Sequence, residues 1–339
     1  MVLIAGERIV AAEPRDQLVV PAGVATVDVG GATILTGFIN AHVHYAFDKA
    51  HLRAWAQGGV TTGCDESAPV EQISNLKAFQ AEISQDPHDA RLVSFGSMLA
   101  VPGGYGQRNV SSAEEARKAV VDEIDEGVGG AKVALEDDYA GTSGLPKLTR
   151  EELKAIVETA HAYGILVSGH ITQGTYLQAM LDAGVDDIAH LPFDSIAAET
   201  FQRMVAQGVY LTPTFTVFRN FGAPVGGSVD NLRQFVGLGG KVALGNDYGG
   251  GPGDFELGIP MYEIEMMSQG GMTPMQIVEA STKNAAHVIG LENELGTLEA
   301  GKIADVLVVR DNPLADLQAL THVRLVIHDG AVIRDDAQG

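Results

Sequence analysis

Between residues 34 and 290, short apolar runs alternate with stretches whose apolar residues recur at helical spacing. The runs are ILTGFI (34–39), VTTGC (60–64), RLVSFG (91–96), AKVAL (131–135), ILVSGH (165–170), DIAHL (187–191), VYLTPTF (209–215) and VALGN (242–246). Each reads as a β-strand, and the stretches between them read as helices. One helix is expected over 112–126, opened by a capping box from Ser112 to Glu115, and another over 150–163, opened by Thr149 and Glu152. A third begins near Thr273-Pro274, where proline in the first turn forfeits no helical hydrogen bond. Eight strands with interleaved helices over about 250 residues predict a (β/α)8 barrel, whose active site lies at the C-terminal ends of the strands.

The flanks have a different pattern. Alternation in TVDVGGATIL, IADVLVV and RLVIHDGAVI makes residues 1–35 and 294–333 rich in strands and turns. Neither flank is long enough to bury a core alone. They are expected to pair into one small β-sandwich, giving a domain of 1–35 plus 294–339 beside a barrel of 36–293. There are no internal repeats and no low-complexity segments.

Composition narrows the function classes. A chain of 339 residues holds one large α/β domain with a satellite, or two ordinary domains, and an apolar fraction of 45% is that of a globular core. With 44 acidic against 22 basic residues the net charge is −22, which argues against nucleic acid or an anionic membrane as partner. Cys64 is the single cysteine, so no internal disulfide forms and a cytoplasmic setting is the default. Residues 1–10 are apolar but lack a basic leader, and Glu7 and Arg8 interrupt them, which fits neither a signal peptide nor a membrane span.

Six dispersed residues carry the chemistry. His42 and His44 stand in TGFINAHVH, Lys132 in GGAKVAL, His170 in LVSGHI, His190 in DIAHLP and Asp247 in VALGND. All fall at or near strand ends, so the barrel can gather them at one mouth in the outline of a two-metal hydrolase site. His-x-His at a strand terminus places both imidazoles on one side of the chain, because side chains alternate with period two. Imidazole nitrogen suits zinc and its neighbours. Lys132 is the odd member, since an ammonium repels a cation. The residues alone leave two readings open: a partly buried lysine paired with a neighbouring acid such as Glu136 or Asp137, or a desolvated amine that takes up carbon dioxide and becomes an anionic carbamate ligand.

The series TGFINAHVH, GVTT, AKVAL, VSGHI, DAGVDDIAHLPF, LTPTF, VALGND, MTPMQIVEASTKNAAHVIGL and the tail GTLEAGKIADVLVV resembles, in order and over essentially the whole chain, the amidohydrolase superfamily of metal-dependent hydrolases. Within it the chain is similar to the branch of Xaa-Pro and Xaa-Arg/Lys dipeptidases, related carboxypeptidases and imidazolonepropionase-like proteins. The resemblance implies two divalent ions, zinc foremost. His42, His44 and Asp247 would hold the more buried ion and His170 and His190 the more exposed one, with carboxylated Lys132 bridging them. It further implies a shared hydroxide activated at neutral pH, with Asp247 taking its proton and passing it to the leaving amine. The bond attacked would be the amide of a dipeptide, an N-acyl amino acid or a cyclic amide.

Departures from the branch pattern limit how far the resemblance specifies a substrate. The GGHG run of its dipeptidases is GGYG here, with Tyr105 in the histidine's place as a donor to the reacting carbonyl or as a packing aromatic. HAY after strand five is replaced by His170-Ile171-Thr172. Arg219, in FTVFRN after strand seven, is a candidate clamp for a substrate carboxylate, and Tyr248 a candidate pocket residue. Asp254 and Glu256, after strand eight, would favour a cationic substrate or simply face water. The Gly-rich stretches 103–106 and 249–253 lie where substrate loops belong. His51, His88, His161, His287, His322 and His328 read as structural or surface residues. The same metal pair could serve a lactone, carbamate or phosphotriester. A one-metal deaminase is disfavoured because Gln173 stands where those enzymes place a glutamate, and a metal-free scaffold is disfavoured by the complete ligand set. The expected partner is a small molecule, and a homo-oligomer is compatible with the chain.

Overall fold

The structure is a computed structural model that describes residues 1–139, 142–250 and 256–337. Three parallel strands, β1 (Phe38–Val43), β2 (Val60–Asp65) and β3 (Arg91–Ser94), pair in sequence order. Four more, β4 (Gly130–Ala134), β5 (Leu166–His170), β6 (Asp187–Ala189) and β7 (Tyr210–Thr212), continue the series. The Gly129 amide donates to the Ser94 carbonyl at 2.9 Å and joins the two sets. The stretch 242–248 closes the ring through parallel bridges from Val242 to Leu211 and from Tyr248 to Val43. This is the (β/α)8 barrel. Every residue of β1, β2 and β4 is buried, as strands between a packed barrel interior and a helical jacket must be.

The expected strands differ from the observed ones at both ends of the barrel. The run 34–39 belongs to two elements. Thr33–Thr36 is the edge of a four-stranded antiparallel sheet with Val306–Val309, Val323–His328 and Ala331–Asp335, and β1 starts only at Phe38. Gly37 makes the change of sheet: its amide donates to the Asp305 carbonyl at 2.9 Å, and the next amide donates to the Gly59 carbonyl at 3.0 Å. A Cβ at Gly37 would lie 2.3 Å from the Thr61 hydroxyl oxygen, so the crossing needs glycine. The run 209–215 ends as strand at Thr212 and turns into the helix Phe215–Asn220. Residues 242–246 form no regular ladder. Gly245 lies against both neighbours, where a Cβ would sit 2.4 Å from Thr212 Cγ2 and 2.6 Å from His42 Cβ, and this close approach brings the following Asp247 to His42.

The helix starts are where local chemistry puts them. Thr149 and Glu152 form a complete capping box on Arg150–Ala162, and Thr273 with Gln276 forms another on Pro274–Ala280. At Ala113–Glu126 only half the box forms: the Ser112 hydroxyl accepts from the Glu115 amide, but the Glu115 carboxylate accepts from Ser111 instead. The N-terminal hairpin Val2–Ala5/Arg8–Ala12 meets the C-terminal segment through the Ile9 amide on Lys302 and the Gly301 amide on Ile9, at 2.9 and 2.8 Å. Among the described residues no helix is long and apolar enough to cross a membrane.

One buried carboxylate has a testable consequence. Glu123, near the end of its helix, accepts from the Ser97 amide at 3.2 Å and from Arg108 at 3.3 Å. Burial pushes its carboxyl from 4.5 to about 7, against the pull of Arg108. Between those values the folded chain holds a proton that the unfolded chain has lost, so this group's contribution to stability falls as pH rises from about 4.5 to about 7. The variant Glu123→Gln is therefore expected to gain stability relative to the parent between pH 5 and pH 8, by on the order of 1–3 kcal/mol in urea unfolding. A difference that stays flat across that range rules this assignment out.

Candidate metal centre

β1 delivers the first two imidazoles. His42 is the fifth residue of the strand and His44 stands just past its end, so alternation aims both at the barrel mouth, with ring centroids 5.4 Å apart and planes at 84°. Asp247 comes to them along a backbone zip. Its amide donates to the His42 carbonyl, and the His44 amide donates to the Tyr248 carbonyl, both at 2.9 Å. Asp247 Oδ1 then lies 2.9 Å from His44 Nε2 and 3.5 Å from His42 Nε2. The ligand atoms of these three residues lie within 4.8 Å of one another.

The opposite wall carries the other two imidazoles. His170 ends β5, its ring 4.5 Å from that of His190, and the His190 ring stands 5.0 Å from that of His42. His190 comes directly after β6 with φ of +75°, and Asp247 has φ of +51°. Both are non-glycine residues in the left-handed region, which costs on the order of 1–3 kcal/mol each and recurs where a site dictates the backbone. Thr214, at φ of +55°, places its hydroxyl oxygen 2.6 Å from His190 Nδ1 and fixes that ring. His190 Nδ1 is also 3.8 Å from Asp247 Oδ2, so one carboxylate reaches both walls.

Lys132 is fully buried on β4 below this ring. Its ammonium pairs with the Glu66 carboxylate and donates to Ser168 Oγ at 3.3 Å, Ser168 being its register partner on β5. The acid beside the lysine is thus Glu66, at the end of β2, and not Glu136 or Asp137. Glu136 instead accepts from the Asp137 and Asp138 amides and from the Thr172 hydroxyl, with one oxygen 3.6 Å from His170 Nε2. Asp137 is held at the rim by Gln173, Tyr176 and Lys147.

The electrostatics suit cation binding. Burial alone would raise the Asp247 carboxyl, but His42, His44 and His190 hold it well below the usual carboxylate range, so it is an anion throughout neutral pH. Burial, with Lys132 beside His42 and His170 beside His190, pushes both rings well below the ordinary histidine value. Burial also lowers His170. Neutral imidazoles are the ligating form. His44 goes the other way, because Asp247 outweighs its burial. His42 faces Asp247 through Nε2, and both its Nδ1 and His170 Nε2 are buried without a hydrogen-bond partner.

Around the mouth, the Tyr105 ring lies 4.6 Å from the His170 ring, tilted by 36°. Tyr248 is buried behind Asp247, edge-on to Trp55 and His51, with its hydroxyl 3.2 Å from His51 Nε2. Arg219 lies over the Tyr262 ring, 3.7 Å from its centroid. Its helix is anchored by buried Glu263, which accepts from the Phe215 and Thr216 amides at 2.9 and 2.8 Å and which burial pushes to about 7. Glu256 is exposed, whereas Asp254 and residues 251–253 of the glycine-rich stretch lie outside the described residues. Sequence reasoning missed Glu66, Thr214 and Glu263. For Glu66 the signal was present: an acid at the end of an apolar run, in GCDES, has to be paired once buried.

The (β/α)8 barrel gathers four histidines and an aspartate at the C-terminal ends of its strands, above a buried lysine, an arrangement that can hold a divalent cation. The chain belongs to the amidohydrolase family, whose model matches residues 33–333, and it is an enzyme of that hydrolase class. Over 361 aligned positions it is 30% identical to an ochratoxinase of Aspergillus niger, covering 87% of this chain and 74% of that one. It is 26% identical to an imidazolonepropionase of Symbiobacterium thermophilum, covering 95% and 84%. The crystal structure of a putative prolidase from Bifidobacterium longum superposes with a TM-score of 0.83 at 26% identity, covering 100% and 90%. The family is typically metal-dependent, and the group His42, His44 and Asp247 gives this chain a candidate metal site.

Proposed function

We propose that this enzyme hydrolyses an amide bond with a binuclear metal centre. The single observation that carries the reading is the Asp247 carboxylate, which faces His42 and His44 on one wall and His190 on the other. His42, His44 and Asp247 would hold one ion, and His170 and His190 the other. Lys132, as its carbamate, would stand between them, with zinc the ion that imidazole donors suit. Forming that carbamate exchanges the ammonium's pairing with Glu66 for a bond to carbon dioxide and releases two protons. When bound, the ions supply a hydroxide at neutral pH and polarise the scissile carbonyl.

The chain's own residues do the rest. Asp247, kept anionic by its imidazole neighbours, accepts the proton of the attacking water and delivers it to the leaving amine. Tyr105 is placed beside His170 to donate toward the carbonyl oxygen. Arg219 at the rim receives a substrate carboxylate, and Tyr248 backs the pocket. Residues 36–293 form the catalytic barrel in this reading, with 1–35 and 294–339 as the supporting sandwich. The relatives named ochratoxinase, imidazolonepropionase and prolidase support a small-molecule amide: a dipeptide, an N-acyl amino acid or a cyclic amide.

Metal analysis and a substrate panel test the proposal together. Protein prepared with zinc is expected to carry two equivalents at the barrel mouth and to cleave members of a dipeptide and N-acyl amino acid library faster than lactones or phosphotriesters. One equivalent there with deaminase activity, or faster turnover of the esters, would overturn it.

A further inference from the structure

A second cluster lies at the other end of the barrel, between β3 and the antiparallel sheet. Asp305 precedes Val306–Val309, and His328 and Asp329 stand at the turn between Val323–His328 and Ala331–Asp335. Their ligand atoms lie within 4.8 Å of one another, as do those of His42, His44 and Asp247. His328 is 2% exposed. Its Nδ1 lies 2.8 Å from the carbonyl oxygen of Pro87, which can only accept, so Nδ1 donates there and Nε2 is the ring nitrogen left to face the cluster. That Nε2 is buried and has no hydrogen-bond partner. It faces Asp329 Oδ2 at 3.6 Å, a separation too long for a hydrogen bond.

Charge and geometry both ask for a cation in that gap. Arg91 pairs with Asp305 Oδ2 at 2.8 Å and with Asp329 Oδ1, and is the arginine or lysine that reaches either carboxylate among the described residues. One guanidinium serves two carboxylates, Asp305 buried and Asp329 partly exposed, so the cluster is anionic whenever His328 is neutral and a divalent ion there would meet the surplus charge. Asp305 Oδ1 is further tied by the Asp329 amide at 3.0 Å, which fixes the two acids relative to each other. Two ligands on a tetrahedral zinc at about 2.0–2.1 Å are about 3.3 Å apart. The 3.6 Å gap is close to that edge and matches the 3.5 Å between His42 Nε2 and Asp247 Oδ1. A histidine whose far nitrogen is tied to a backbone carbonyl is the arrangement that orients imidazole toward a metal. An access path exists as well: a cavity of about 370 Å³ opens beside the cluster, lined in part by Arg91, His328 and Asp329.

We propose that Asp305, His328 and Asp329 form a third, structural site for a zinc-like divalent ion, separate from the centre at the barrel mouth. It clamps the hairpin of the antiparallel sheet to β3 through Arg91 and to the 84–90 loop through Pro87.

The test is zinc binding by the full-length His42→Asn/His44→Asn variant, measured by equilibrium dialysis and elemental analysis, with cobalt(II) absorption as a second readout. This variant is expected to retain an equivalent that disappears when His328→Gln is added, with loss of the corresponding tetrahedral cobalt band. In the otherwise unaltered chain, His328→Gln should lower zinc by one equivalent while leaving the mouth loaded. Asp329→Asn, at the more exposed end of the cluster, should lower zinc affinity at least tenfold and serves if His328→Gln does not fold. If the metal content of the mouth variant is zero, or is unchanged by both substitutions, the cluster is an ion-pair network alone and the proposal fails. The binuclear reading of the mouth is judged separately, by the equivalents that His42→Asn/His44→Asn removes.

Discussion

Replacing Asp247 by asparagine is expected to lower kcat by at least about a thousandfold while leaving the fold intact. General acid–base catalysis contributes on the order of 10²–10⁴, and this side chain is also assigned a place among the ligands. Asparagine preserves the volume and one carbonyl oxygen, and the backbone zip holds the position: the Asp247 amide on His42 and the His44 amide on Tyr248 do not depend on the side chain. What is lost is the anion. In the parent, His42, His44 and His190 hold this carboxyl low against its burial, so it is an anion that can take up the proton the proposed mechanism assigns to it. An amide side chain cannot take it up at all. Steady-state kinetics with parallel metal analysis measures the effect. A variant with undiminished kcat and a full metal complement removes Asp247 from the mechanism.

Removing the Lys132 side chain is expected to have the largest combined effect. Lys132→Ala should abolish turnover and metal uptake at the barrel mouth, since the carbamate proposed to bridge the two ions is lost. It should also cost on the order of 3–5 kcal/mol of stability, because Glu66, 1% exposed, is left as an unpaired buried carboxylate. The two losses are separable. Adding Glu66→Gln to Lys132→Met replaces the ion pair by neutral groups of similar size and should restore most of the stability without restoring metal at the mouth or activity. Elemental analysis, denaturant unfolding and kinetics on the three proteins measure this. If Lys132→Ala keeps two equivalents at the barrel mouth and full rate, the bridging role is wrong; if Lys132→Met alone is as stable as the double variant, the Glu66 pairing is not what holds β2 to β4.

The two substitutions act on residues that were legible to very different degrees. His42-x-His44 could be read directly, because period-two alternation is local and places both rings on one side of any strand. Lys132 could be read as buried, since apolar residues flank it on both sides, but not as paired with Glu66. That acid lies 66 positions away and meets it only because β2 and β4 face the same barrel interior. His190 and Asp247 were found as residue types at strand ends, yet their aim depends on left-handed backbone that nothing local requires.

From its own pattern the chain determined the eight-fold alternation, the helix caps at Thr149 and Thr273, and the identity of the residues at the barrel mouth. These arise from short-range physics: hydrophobic periodicity, hydrogen bonds between capping side chains and nearby amides, and alternation along a strand. Tertiary structure decided where the barrel begins, since the chain changes sheet at Gly37 only when Asp305 and Gly59 are both present to accept from the Gly37 and Phe38 amides. It also decided how the ring closes, through Gly245 pressed against Thr212 and His42, and which acid answers Lys132. It brought Asp305, His328 and Asp329 together from segments that read as ordinary strand and turn. Pairings of this kind join atoms that are distant along the chain, and burial makes each of them obligatory only after the fold has put the partners in reach.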